Sequence, residues 1–399
     1  AAAIMPATLS LVSSTFDDPK RRAQAIAFWA ATFGLGVGIG PPIGGFLVDV
    51  FSWNAVFFAN VPVVIVALIG AAFYVRDSKD PNAPPPDLLG AGLSIVGVVA
   101  LVLGIVEAGV AGWTSPRTLV PLGSAAVVLT LFGLWEARAR HPMLPIYLFK
   151  NMSFTGANIA LTMLTFGLMG SLFFFAQYFQ TVQGRSPLEA GLSSLPMAIM
   201  VVLLSASSAR IAQRFGIRRC VAGGLLVAAL SLLYLSFVIE PGTPYPVLVL
   251  GLVVMGAGIG LATGPATNSV MSSVPPAKAG VGSAMNDTTR ELGGAIGIAV
   301  LGAIADSTYL SRLQEASVAN QVPVEVYDAV AGGIVAAHQF ATYIPQPAVE
   351  SQFIEYVNNA FTTGLSDAMF AGAVIIALVG VLSYLLLPNA ARPPKEGAG

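Results

Sequence analysis

The chain is a succession of long, unbroken apolar runs separated by short segments that carry most of its charge. An α-helix needs roughly 20 such residues to cross about 30 Å of hydrocarbon. The runs at 24–48, 54–74, 88–106, 119–135, 152–177, 188–208, 218–238, 246–272, 280–304 and 367–387 come close to or exceed that length, and 1–14 makes a partial eleventh. Each run is continuously apolar instead of alternating, and lipid leaves no partner for an open sheet edge, so helices are expected and not strands. Charged residues are 10% of the 399, too few to cover a soluble fold of that size. The fold class that follows is an all-α integral membrane protein whose first partner is the lipid bilayer.

The loops alternate between two sides. Of the 19 Lys and Arg, only Arg117, Arg185 and Arg312 fall on one side. The positive-inside rule makes the other side cytoplasmic, C-terminus included, which predicts a multi-pass protein of the cell inner (plasma) membrane. Trp29, Trp53, Trp113 and Trp135 lie near run ends, as an interfacial aromatic belt requires. Residues 1–74 read as the remainder of an N-terminal helix bundle and 75–87, rich in Pro and charge, as a cytoplasmic linker. Residues 88–135 follow as two linker helices, 136–387 as a C-terminal bundle, and 388–399 as a cytoplasmic tail. The bundle includes a long outside loop, 305–366. Within it, "FIEYVNNAF" sets Phe353, Val357 and Phe361 on one stripe, which predicts a surface helix lying on the membrane or capping the bundle, with gating as the alternative.

Other classes of function find little support. A net charge of −1 gives no footprint for nucleic acid. The one cysteine, Cys220, allows neither an intrachain disulfide nor a cysteine metal cluster. His141 and His338 read as isolated loop residues, so no metal and no cofactor is expected. No G-x-x-x-x-G-K-[ST] phosphate loop is present, which leaves an ion gradient as the energy source. An intramembrane enzyme would need a reactive cluster, and no Ser–His or metal set offers one. The opening "AAAIMPATLSLVSS" has no initiator Met and no basic start. It reads as the end of a membrane helix, not as a signal peptide.

Within the first long run, "GLGVGIGPPIGG" (34–45) holds six glycines and two prolines. Gly36, Gly40 and Gly44 recur every four residues and form a smooth stripe, which lets two helix backbones approach closely. Pro41 and Pro42 remove backbone donors and are expected to bend the helix there. The expectation is a close, bent seam, so that Gly40→Leu spoils transport.

The full string G-x-x-x-G-P-x-x-G-G, from Gly36 through Gly40, Pro41 and Gly44 to Gly45, is followed by "SWNAVFFANVP" (52–62). Together they resemble the fifth-span signature of proton-driven antiporters in the major facilitator superfamily. "YFQTVQGRSPLEAGLSSLPMA" (178–198), "RIAQRFGIRR" (210–219) and "AGVGSAMNDTTRELGGAIGIAVLG" (279–302) resemble its fourteen-span drug/proton antiporter branch, in the same order. The resemblance implies a major facilitator-type helix bundle covering spans four to fourteen. It implies proton-coupled efflux of drugs or hydrophobic metabolites by alternating access, with protons and a small hydrophobic substrate as partners. The family's acidic residue of span one, its main loop motif and its span-four arginine motif have no counterpart here. Alternatives are a non-transporting remnant or membrane sensor. The sequence specifies no periplasmic adaptor.

Charges inside a membrane segment are functional candidates because they are costly there. "NDTTRELGG" supplies Asp287, Arg290 and Glu291, the candidate proton-coupling cluster, with Glu291 read as the deeper carboxylate and Asp287 as more structural. Asp49 and Glu107, at outer helix ends, read as solvated. Arg210, Arg214, Arg218 and Arg219 around Gly216 resemble the second-half copy of the superfamily's loop motif. They are expected to latch the inner face by bonding helix C-termini and carboxylates, or else only to anchor that side. Gln213 and Ala209 depart from the motif. Asn158, Phe166, Gln177 and Asn268 are candidates for the substrate cavity, with helix packing as the competing explanation for the aromatic ones. The glycines at 256, 260 and 264 read as packing.

Overall fold

The computed structural model describes residues 4–16, 18–74, 85, 87–140, 142–275, 278–318 and 330–389. The described residues form α1 (Ile4–Thr15), α2 (Pro19–Val50), α3 (Trp53–Phe58), α4 (Asn60–Tyr74), α5 (Leu88–Ala111) and α6 (Pro116–Glu136). After a 3-10 turn at Ile146–Lys150 come α7 (Met152–Gln177), a π-helical turn (Tyr178–Val182), α8 (Pro187–Ser193) and α9 (Leu195–Phe215). The chain continues as α10 (Ile217–Val238), α11 (Tyr245–Ser272), α12 (Ala279–Val318), α13 (Ile334–Ala341) and α14 (Pro347–Leu386). Among the described residues, ten helices or helix pairs are long and apolar enough to cross a membrane, one for each apolar run.

The helix starts follow local chemistry. Asp18 caps α2 by accepting from the amides of Lys20 and Arg21, with Pro19 at the first position. Asn151 accepts from Ser153 N–H to open α7, and Ser186 with Glu189 forms a capping box on α8. Between α9 and α10 the chain turns at Gly216, whose φ of +90° belongs to the region that only glycine enters freely.

Helices α7, α9, α10, α11, α12 and α14 share one hydrophobic core. Helix α2 lies against α8, α9 and α11, while α5 and α6 pair with each other and α5 also rests on α12. Glycines let these helices touch: a Cβ on Gly97 would meet Leu129 Cγ at 2.8 Å, and one on Gly104 would meet Leu122 Cγ at 2.7 Å.

The segment 305–366 is not an open loop where it is described. Helix α12 runs on to Val318, and α14 begins at Pro347 and continues without a break into the last span. "FIEYVNNAF" is therefore part of that long helix, not a separate surface helix; Val357 and Phe361 are buried against the bundle. His338 lies on α13, and its Nε2 is 2.8 Å from Asn358 Oδ1, so it is not isolated. His141, most of the 75–87 linker and most of the 388–399 tail lie outside the described residues.

Candidate functional site

Helix α2 runs unbroken through Pro41 and Pro42. Its close seam uses a different glycine face from the one expected. A Cβ on Gly34 would lie 2.7 Å from Val201 Cγ1, one on Gly38 2.5 Å from Ala198 Cβ, and one on Gly45 2.7 Å from Leu188 Cα. From the other side, a Cβ on Gly191 would lie 2.6 Å from Pro41 C. The every-fourth stripe Gly36, Gly40 and Gly44 points elsewhere, and a Cβ on any of them would meet nothing within 4 Å. Of the expected seal residues, Pro41 and Gly45 join the contact; Gly36, Gly40 and Gly44 do not. Both stripes have helical spacing, and only the position of α9 decides between them.

The Asp49 end of this seam is tied by polar groups. Asp49 is exposed, as expected, and its Oδ2 also accepts from Leu188 N–H at 3.0 Å, so it caps a neighbouring helix. Arg185 packs between the rings of Phe179 and Tyr245, 5.0 and 4.8 Å from their centroids, and donates to Ser193 Oγ at 2.7 Å.

Deeper in the bundle, α12 presents its charges unevenly. Asp287 is 7% exposed and Arg290 5%, whereas Glu291 is exposed. Within the protein Asp287 is thus the more buried of the two carboxylates, because residues 287 and 290 face the packed helices while 291 faces away. Asn286 Nδ2 donates to Asp287 Oδ1 at 3.1 Å, and Thr267 Oγ1 of α11 donates to Asn286 Oδ1 at 3.0 Å. Asp287 Oδ2 and Arg290 Nη1 are buried without a hydrogen-bond partner, and no ion pair joins these charges among the described residues. The Arg290 guanidinium instead stacks 3.7 Å from the Phe33 ring centroid of α2, with Trp29 at 5.7 Å. Trp29 in turn donates from Nε1 to Thr8 Oγ1 of α1 at 3.3 Å. The buried cation therefore bridges α12 to α2, and through Trp29 to α1. Trp29 is one of four end-of-run tryptophans, and only its i+4 spacing to Phe33 hinted at a second role.

The substrate-cavity candidates separate. Asn158 is buried in this network, accepting from Thr289 Oγ1 at 3.3 Å. Phe166 is a core residue whose backbone packs on Gly297. Gln177 is partly buried at the end of α7. Asn268 lines a half-open cavity of about 290 Å³ with Ala23, Gln213, Gly216, Gly264 and Pro265. The cavity lies between the ends of α2, α9, α10 and α11 next to the arginine-rich turn. Above it, Gly256 and Gly260 pack against α9, and a Cβ on Gly264 would lie 3.5 Å from Ala27 Cα.

The expected latch differs too. Arg210, Arg214 and Arg219 are exposed, and Arg218 is half-buried over the Tyr384 ring at 4.1 Å. None of the four forms an ion pair among the described residues. Besides the Arg218–Tyr384 contact with the last helix, a backbone bond ties this turn to the residues just after it: Ile217 N–H donates to Asn389 O at 3.3 Å.

Among the described residues, ten helices long and apolar enough to cross a membrane, joined by glycine seams, with an ionisable pair buried where Arg290 of α12 reaches Phe33 of α2, define a polytopic membrane protein of the carrier type. The chain belongs to the Major Facilitator Superfamily, whose profile matches residues 1–298. It is 32% identical to the multidrug resistance protein Stp of Mycobacterium tuberculosis, over 98% of this chain and 73% of that protein. It is 32% identical to the multidrug efflux pump LfrA of Mycolicibacterium smegmatis, over 95% and 75%. It is 30% identical to the tetracenomycin C resistance and export protein of Streptomyces glaucescens, over 94% and 72%. Its relatives are transporters and not enzymes. In fold it is similar to the inward-facing, unoccupied crystal structure of a bacterial homologue of the human lysosomal transporter Spinster. That match has a TM-score of 0.51 at 17% identity, over 95% of this chain and 73% of that one.

Proposed function

We propose that the chain is a proton-coupled exporter that moves drugs or hydrophobic metabolites out of the cell by alternating access. It is read as an antiporter of the fourteen-span branch, in the plasma membrane with its C-terminus cytoplasmic. The observation that carries this reading is the buried Asp287–Arg290 pair, whose cation stacks on Phe33 across the junction of α2 and α12. A carboxylate held in a membrane interior with one oxygen free is equipped to take up and release a proton. When Asp287 carries a proton, Arg290 is free to remain on the Phe33 ring. When Asp287 is ionised, Arg290 has a competing partner one turn away on its own helix. Proton occupancy thereby biases whether α12 holds α2.

The seam of Gly34, Gly38, Pro41 and Gly45 against α8 and α9 is the outer seal in this reading. Asn268 and its cavity form an inner vestibule. Multidrug relatives support a hydrophobic, drug-like substrate. The test is uptake of a fluorescent hydrophobic dye into inside-out vesicles. Uptake is expected to follow an imposed pH gradient, to collapse with an uncoupler, and to be lost in Asp287→Asn. Uptake that ignores the gradient would overturn the proposal, and absence of any uptake would favour the non-transporting reading.

A further inference from the structure

A second buried carboxylate lies away from this site, where α5 and α6 end side by side. Glu136, the last residue of α6, is 3% exposed. Its Oε2 accepts from Leu144 N–H at 3.0 Å, fastening the segment that follows α6. Its Oε1 is buried with no partner. The group it faces is another acid, Asp87, the N-cap of α5. A Cβ on Gly90 would lie 2.6 Å from Asp87 Oδ2 and 2.7 Å from Glu136 Oε1. The two oxygens thus approach across the space that glycine leaves empty, separated by less than twice that distance.

Asp87 has donors on both oxygens, and Glu136 has a backbone donor on Oε2 and none on Oε1. Asp87 Oδ1 accepts from Gly90 N–H at 2.8 Å, and Trp135 Nε1 lies 3.1 and 2.9 Å from its two oxygens. Those N–H groups occupy both Asp87 oxygens as acceptors. A second anion facing it, covered from water and with one oxygen empty, is unfavourable; two carboxylates in one site hold a shared proton instead. The other ionisable residues of α5 and α6, Glu107 and Arg117, lie near their opposite ends. Arg138 and Arg140 follow Glu136, are exposed, and pair with neither acid. Helix α12, packed on α5, brings Asp287, Arg290, Glu291, Asp306, Arg312 and Glu315, and none of them pairs with these acids. Arg76, Asp77, Lys79, Asp80 and His141 lie outside the described residues.

We infer that Glu136 and Asp87 form a proton-binding site, with the proton on Glu136 Oε1 donated to Asp87 Oδ2. This site is independent of the Asp287 reading. Its proton clasps the ends of α5 and α6 and the segment at Leu144. On release the proton passes to water and leaves two facing anions that push the helix ends apart. Because α5 rests on α12, the clasp links local acidity to the helix that carries Asp287 and Arg290.

The test compares the full chain with Glu136→Gln, whose amide can donate to Asp87 as the acid does, by infrared spectroscopy and by thermal unfolding against pH. The wild type is expected to show a carboxylic-acid C=O band that Glu136→Gln removes. Glu136→Gln is also expected to melt with the wild type under acidic conditions and a few degrees above it under alkaline ones. Asp87→Asn, which removes the facing anion, is expected to shift the pH at which the band vanishes to lower values. An unchanged band in both variants would overturn the inference. So would a Glu136→Gln melting difference that is constant across pH. A wild-type melting temperature that rises with added sodium, potassium or calcium, with no acid band, would mark a cation site and equally overturn it.

Discussion

At the scale of single residues, Arg290 explains the most. A guanidinium out of reach of water needs compensation, and here it comes from the face of Phe33 at 3.7 Å and not from a salt bridge. A desolvated cation–π contact is worth about 2 kcal/mol. Phe33→Ala is therefore expected to lower thermal stability by about that amount and to slow dye export. Phe33→Tyr, which keeps the ring face, should stay close to wild type in both measurements. Burial also separates the two carboxylates of the cluster. Asp287→Asn is expected to abolish pH-driven export, because the one buried carboxylate beside Arg290 among the described residues is gone. Glu291→Gln, at an exposed position, should retain most of it. Equal losses in vesicle transport would mean that exposure in this structure does not rank these carboxylates.

At the scale of elements, the ten membrane helices were legible because a hydrocarbon slab imposes one length and one composition on whatever crosses it. What lies past the slab was less legible. The ends of α12 and α14 are amphipathic and charged, so their hydropathy matches that of a loop, while their backbones remain helical to Val318 and from Pro347. The glycine face of α2 was illegible for another reason. Gly36, Gly40 and Gly44 form the more regular stripe, but a stripe becomes a seam only where another helix arrives, and α9 arrives at Gly34 and Gly38 and α8 at Gly45. The candidate cluster 287–291 was visible in sequence as charge within an apolar run, yet its aromatic partners were not, since Trp29 and Phe33 lie more than 250 residues away. The corrected seam makes a paired prediction. Gly38→Leu must push Ala198 aside and is expected to cost about 1–3 kcal/mol or more as overpacking. Gly40→Leu meets open space and should leave the α2–α9 packing intact. Melting temperatures of the two purified variants in detergent separate them, and a larger loss for Gly40→Leu would return the seam to the regular stripe.

At the scale of the whole molecule, alternating access requires that the packed contact between α2 and the continuous α8–α9 span open during each cycle. The seam suits such motion: glycine and alanine meet without interlocking side chains, so separation costs little steric work. Among the described residues the side-chain hydrogen bond from α2 to that span is the one by which Asp49 caps α8. Gly34 offers a direct test, because the Cβ of a residue placed there would lie 3.4 Å from Val201 Cβ. Disulfides span Cβ separations of about 3.5–4.5 Å, so Gly34→Cys with Val201→Cys should cross-link after minor adjustment. The native Cys220 is buried on α10 and offers little competition. Oxidation is expected to reduce dye export at least tenfold, and reductant should restore it, while each single-cysteine variant stays insensitive to oxidant. Undiminished export by the cross-linked protein would show that α2 and α9 travel as one body, and the moving boundary would then have to lie elsewhere in the bundle.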